Sequence, residues 1–135
     1  MADNKVNFEL VSPERLLLDD QVDMVVVPGS EGDFGVLAGH TPFVSTIRPG
    51  VIDVHDGGAV RDRIFVGGGF AEVTPERCTV LAEDAVPVAD IDRGALEGRL
   101  RDLREDLADA KSDEERAAVE RSIAVTESMM AASSQ

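Results

Sequence analysis

Four polar side chains able to do chemistry, Glu31, Asp33, His40 and Thr41, fall within residues 29–42, which read GSEGDFGVLAGHTP. Carboxylates beside an imidazole could move protons or hold a metal ion, and the glycines at 29, 32, 35 and 39 could cradle a phosphate. A phosphate loop, however, needs a glycine-rich turn that opens a helix, usually with a lysine beside the last glycine. No Gly-Lys pair occurs in this stretch, its glycines do not fit GxGxxG, and strand-like residues follow. His40 and His55 stand fifteen positions apart with no second ligand at a helical or hairpin spacing, which argues against a metal site. Ser30 and Ser45 lack the GxSxG context of a hydrolase nucleophile. The pairs Asp19 with Asp20 and Glu31 with Asp33 could act as acid and base, but such residues are usually those that turns leave in water. Catalysis, metal binding and cofactor binding therefore have no positive support. Two readings of 29–42 stay open: ordinary turns between strands, or a rigid polar loop stiffened by Pro28 and Pro42 that docks onto a partner.

The rest of the chain must position that stretch. Its 135 residues suffice for one ordinary domain with a short appendage. With 43% apolar and 30% charged residues it has the composition of a globular protein. No apolar run is long enough to span a bilayer, so no membrane insertion is expected. The start MADNKVNFEL lacks the basic and apolar regions of a signal peptide, which predicts that the chain stays where it is made. The single Cys78 fits a reducing compartment, and its alternation with Val80 predicts an inert thiol on a buried strand. A net charge of -14 excludes a nucleic-acid partner, because phosphate contacts need clustered cations.

Short segments with period-two alternation precede Pro87: Phe8 and Leu10; Val22, Met24 and Val26; Ile52 and Val54; Ile64 and Val66; Cys78, Val80 and Ala82. Turn signals punctuate them, the firmest being the hairpin at Asp56-Gly57-Gly58. The pattern predicts an antiparallel sandwich or flattened barrel over residues 1–87.

From residue 88 to 135 the period becomes helical. Leu96, Leu100, Leu103, Leu107 and Ala110 form one narrow stripe. Ser112-Asp113-Glu114-Glu115 is a capping box that starts a second helix, with Val119, Ile123, Thr126 and Met130 as its stripe. A link of about three residues makes the two helices an antiparallel hairpin. Gly94 and Gly98 each cost the first helix about 1 kcal/mol relative to alanine, so the hairpin should be only marginally stable alone. Both regions are acidic.

The run at 29–44, GSEGDFGVLAGHTPFV, with Ile47-Arg48-Pro49-Gly50 after it, resembles the signature of the epsilon subunit of bacterial F-type ATP synthases, called delta in mitochondria. The resemblance extends through Phe8–Glu14, Phe65–Val73 and Val80–Ala85, and more loosely into the hairpin. It implies a flattened, ten-stranded β-sandwich followed by two antiparallel helices, and a subunit that is not catalytic and carries no cofactor. It further implies a place in the rotating central stalk, with the sandwich clamped on gamma and its lower end on the polar loops of the c-ring. Glu31, Asp33, His40 and Thr41 would make the c-ring contact, and the hairpin would reach the alpha and beta subunits. The implied location is peripheral, on the cytoplasmic face of the bacterial inner membrane.

In relatives that bind ATP the first helix opens with Ile or Leu, Asp, two variable residues, Arg and Ala. Ile91, Asp92 and Ala95 occupy that motif here, with alanine in place of the arginine, so ATP binding is not expected. The second helix carries five acids against Arg116 and Arg121, which predicts little or no inhibition of ATP hydrolysis through an acidic stretch of beta. The alternative is a nucleotide-sensing regulatory subunit whose hairpin inhibits hydrolysis.

Overall fold

The computed structural model describes residues 4–134. The chain divides into two compact units, 1–88 and 89–135. The first carries ten strands: β1 (Val6–Val11), β2 (Leu16–Val22), β3 (Met24–Gly29), β4 (Gly32–Val36), β5 (Phe43–Ile47), β6 (Gly50–Asp56), β7 (Ala59–Val66), β8 (Gly69–Val73), β9 (Arg77–Ala82) and β10 (Val86–Pro87). They run β10-β7-β6-β3-β5-β8-β9-β1-β2, with β4 also on β3. Every pair is antiparallel except β1 with β9, which is parallel.

The sheet curls at β3. That strand pairs with β6 over Met24–Val26 but meets β5 only where Gly29 faces Ile47. Curling closes the sheet on a core of alternating residues from most of the strands, including Val6, Phe8, Leu10, Ile52, Val54, Val73, Cys78 and Val80. Burial pushes the Cys78 thiol up to about 12, so it packs there as a neutral small hydrophobe. The predicted hairpin joins β6 to β7, with Asp56 paired to Ala59 and both Gly57 and Gly58 at positive φ.

One alternation departs from expectation. The buried set is Val22, Val25 and Val27, while Met24 and Val26 are only half-buried. Asp23 turns a corner between β2 and β3: its N–H donates to the His55 carbonyl at 3.0 Å, and its carboxylate accepts from the Gly57 N–H at 2.9 Å. The inward parity resets there because the chain leaves its pairing with β1 for a pairing with β6.

A 3-10 turn (Val88–Asp90) falls at the boundary, and the second unit holds helices α1 (Arg93–Asp109) and α2 (Asp113–Ser133). Leu96 and Leu100 are buried on α1, whereas Leu103 and Leu107 are half-buried. Ser112 caps α2 by accepting from the Glu115 N–H at 3.0 Å. The reciprocal bond lands one residue earlier than a standard capping box, since the Glu115 carboxylate accepts from the Lys111 N–H at 3.1 Å. On α2 the buried residues are Thr126, Met129 and Ala132, so the stripe continues through Met129 rather than Met130. The Thr126 hydroxyl is satisfied within the helix, donating to the Ser122 carbonyl at 2.8 Å.

Candidate functional site

Residues 29–42 do not form one loop. β3 ends at Gly29, Ser30 and Glu31 make a turn, β4 occupies Gly32–Val36, and a loop follows before β5. The turn is tied to the far end of β5. The Ser30 N–H donates to the Thr46 carbonyl at 3.0 Å, and the two hydroxyls, Ser30 Oγ and Thr46 Oγ1, lie 2.7 Å apart. Arg48 spans the same corner, Nη1 donating to the Gly29 carbonyl at 2.6 Å and Nη2 to Asp33 Oδ1 at 2.6 Å. The Asp33 carboxylate is therefore engaged within the chain, in a solvent-screened pair that contributes at most about 1 kcal/mol. Glu31 is left exposed at the tip of a backbone held from both sides.

His40 and Thr41 lie at the opposite end of the sheet. Ile47 faces Gly29, but β5 then runs four residues back to Phe43, which faces Val73 beside the turn at Thr74–Arg77; that path is about 13 Å. The Gly39 N–H donates to the Pro75 carbonyl of that turn at 2.7 Å. His40 Nδ1 sits 2.7 Å from the Thr41 carbonyl, which can only accept, so Nδ1 carries the proton. The imidazole tilts against Phe43 with ring centroids 5.4 Å apart, and Phe43 meets Phe34 edge-on at 4.9 Å. The four polar residues expected to act as one surface thus fall into two pairs, Glu31 with Asp33 and His40 with Thr41, because β4 separates the turn from the loop.

That second end also carries an ion cluster. Lys5 Nζ lies 2.5 Å from Asp56 and 3.6 Å from Asp23, and Arg61 reaches Asp20 at 2.8 Å and Asp56 at 3.8 Å. The hydrogen bond from Lys5 holds the Asp56 carboxyl below its usual range, and the Asp56 carboxylate in turn raises Lys5. These groups are water-accessible and clip the start of β1 to the β6–β7 hairpin. Among the described residues no group of three His, Cys, Asp or Glu side chains is placed to hold a metal ion.

A surface that motif reading missed covers the outside of β5, β8, β9, β1 and β2. Thr46, Phe70, Leu81, Val11 and Leu16 face one another in turn across those strands and so share one side of the sheet. Phe70 is 51% exposed, Leu81 48% and Leu16 54%, beside a groove of about 450 Å³ that Val11 and Pro13 also line. The next outward row, Val44, Glu72, Thr79, Glu9 and Asp19, is acidic apart from Val44, which is 69% exposed, and Thr79. The signal was present as parity: Phe70 and Leu81 alternate with the buried Ala71, Val73, Val80 and Ala82.

Residues 5–88 match the family described as "ATP synthase, Delta/Epsilon chain, beta-sandwich domain", and residues 92–133 match the family of the C-terminal domain of the ATP synthase epsilon chain. The chain belongs to the ATP synthase epsilon family. It is 56% identical to the ATP synthase epsilon chain of Paramagnetospirillum magneticum, over 95% of this chain and 96% of that one. The epsilon chain of Parvibaculum lavamentivorans is 62% identical over 83% of this chain and 85% of its own length. Among solved structures, a chain of the Euglena gracilis mitochondrial ATP synthase OSCP/F1/c-ring assembly superposes with a TM-score of 0.79 at 27% identity, covering 95% of this chain and 81% of that chain. A chain of the Tetrahymena thermophila central stalk and c-ring shares the fold, with a TM-score of 0.66 at 12% identity, over 95% of this chain and 96% of its own length.

An epsilon chain is a non-catalytic subunit of its complex. Among the described residues of this one, no helix is long and apolar enough to cross a membrane. In its hairpin Asp92 is the N-cap of α1, its carboxylate accepting from the Ala95 N–H at 3.1 Å. That carboxylate is committed to the helix start, Ala95 contributes only its backbone N–H to the contact, and Ile91 is half-buried.

Proposed function

We propose that this epsilon chain is a rotor subunit of a proton-translocating ATP synthase, standing between gamma and the c-ring as a peripheral protein on the cytoplasmic face of the bacterial inner membrane. The observation that carries this reading is the Glu31 turn, an exposed carboxylate on a backbone fixed by Ser30, Arg48 and Asp33. A fixed acidic tip suits a partner surface of polar loops, the part that the family resemblance gives to the c-ring. Gamma would lie along the Phe70, Leu81 and Leu16 row, since an exposed apolar row of this kind marks a protein interface. His40 and Thr41, at the other end of the sheet, are assigned to holding the 37–42 loop in place rather than to the c-ring.

The test is a cysteine cross-link in membrane vesicles between Glu31→Cys and a cysteine in the polar loop of one c-ring subunit. The expected result is a specific cross-linked product with ATP-driven proton pumping retained, because two parts of one rotor turn together. No product, a product that stops pumping, or an equal yield from His40→Cys would overturn it.

The hairpin belongs to a second part of the reading. Of the two cations on α2, Arg116 is already paired with Asp113 at 3.0 Å, which leaves an acidic helix to face any acidic stretch of beta. Removing residues 89–135 is accordingly expected to change the ATPase rate of the isolated head by less than about twofold, the size of a contact near zero net energy. A many-fold rise would establish the regulatory alternative.

A further inference from the structure

The positive end of α1 is met by its N-cap carboxylate, Asp92, which leaves the guanidinium of Arg93, the first helical residue, for a partner elsewhere. α2 has no base in its last turn, so nothing on α2 itself neutralises the negative end of its dipole. In an antiparallel hairpin these two ends are neighbours, and Arg93 supplies the cation that the end of α2 lacks. Arg93 Nη1 lies 3.3 Å from the Met130 carbonyl and 3.3 Å from Ser133 Oγ, and it also contacts Ser134 Oγ. Because Nη1 carries two hydrogens, it serves two of these three acceptors at a time.

Met130 contributes one of the four carbonyls that the end of α2 leaves without an intrahelical partner. It accepts from Arg93 and, at 2.7 Å, from the Ser133 hydroxyl, while the Ser134 N–H closes on Ala131 and Ala132. The cap of α2 is thus completed by a side chain from the other helix. The open end of the hairpin is also where its side chains are buried: Leu96 and Leu100 follow Arg93 on α1, and Thr126, Met129 and Ala132 lead up to the cap on α2. Toward the loop the α1 stripe is only half-buried, and the ion pair between Arg104 and Glu127 is long, at 3.6 Å, and more than half exposed on both sides. Separation of the two helices from their free ends has to break the Arg93 contacts first.

We infer that Arg93 is a latch: one guanidinium closes the open end of the helical hairpin and sets how readily α2 frays and the two helices part. The latch is independent of the c-ring and gamma contacts proposed above, and it does not depend on nucleotide.

Hydrogen exchange on the full chain tests it, comparing wild type with Arg93→Gln and Arg104→Gln, both surface changes that leave the buried residues in place. Arg93→Gln is expected to speed exchange of the last two turns of α2 by about two- to fivefold, the range for a cation at a helix C-terminus, with residues 5–88 unchanged. The difference should shrink in high salt, and Arg104→Gln should leave the same segment as in wild type. Unchanged exchange in Arg93→Gln, an equal increase in Arg104→Gln, or an increase spread evenly over the chain would each refute the latch.

Discussion

Gly69→Ala is expected to destabilise the sandwich unit by about 3–5 kcal/mol, read as a fall in the urea midpoint. Gly69 has φ +135°, a region essentially reserved for glycine, and a Cβ built there would lie 1.9 Å from the Leu81 carbonyl oxygen. The strand cannot step aside, because Gly69 faces Ile47 of β5 on one side and Ala82 of β9 on the other. Relief of the clash therefore breaks a ladder. Gly68 supplies the control, having φ +129° but nothing nearer its Cβ position than the Ile47 carbonyl at 3.6 Å. Gly68→Ala should cost only the backbone strain, about 1–3 kcal/mol. Equal losses from the two variants would mean that the contact with Leu81 plays no part.

Within Gly67-Gly68-Gly69 nothing local in the sequence distinguishes the glycine wedged against β9 from its open neighbour. The same division holds through the molecule. The Asp56-Gly57-Gly58 hairpin, the Ser112 cap and the Leu96–Leu100 stripe were legible because each depends on residues within about two turns of chain. The parallel pairing of β1 with β9 joins residues about seventy positions apart, and no periodicity encodes it. The inward parity of β3 departs from simple alternation because Asp23 owes its corner to His55 and Gly57, contacts made across the sheet. Residues 29–42 looked like one polar loop because glycine and charge mask strand propensity in GDFGV, yet β4 runs through it and carries Glu31 away from His40. No local pattern marks Arg93; its place over Met130 follows from the helices being antiparallel.

Phe70→Asp is expected to abolish co-purification with gamma, lowering affinity by about a hundredfold or more, while the isolated chain stays folded. Phe70 is already half in water, so exchanging it for a charge should cost the free chain only about 1–2 kcal/mol. In a complex the balance differs. A buried aromatic anchor at an interface commonly carries about 2 kcal/mol or more, and an aspartate in its place would be desolvated without a cation opposite. Its surroundings offer no rescue, since Glu83 lines the adjoining groove, Glu72 lies two residues along β8, and the neighbouring Leu81 is apolar. Val60→Asp makes the matching control, as Val60 is 46% exposed on β7 beside the β6–β7 hairpin and off the Phe70 row. If gamma follows the outer row, Phe70→Asp loses it and Val60→Asp keeps it, with the circular dichroism of both unchanged. Retention of gamma by folded Phe70→Asp would move the contact to another face, and the row of Phe70, Leu81, Val11 and Leu16 would then need a different occupant.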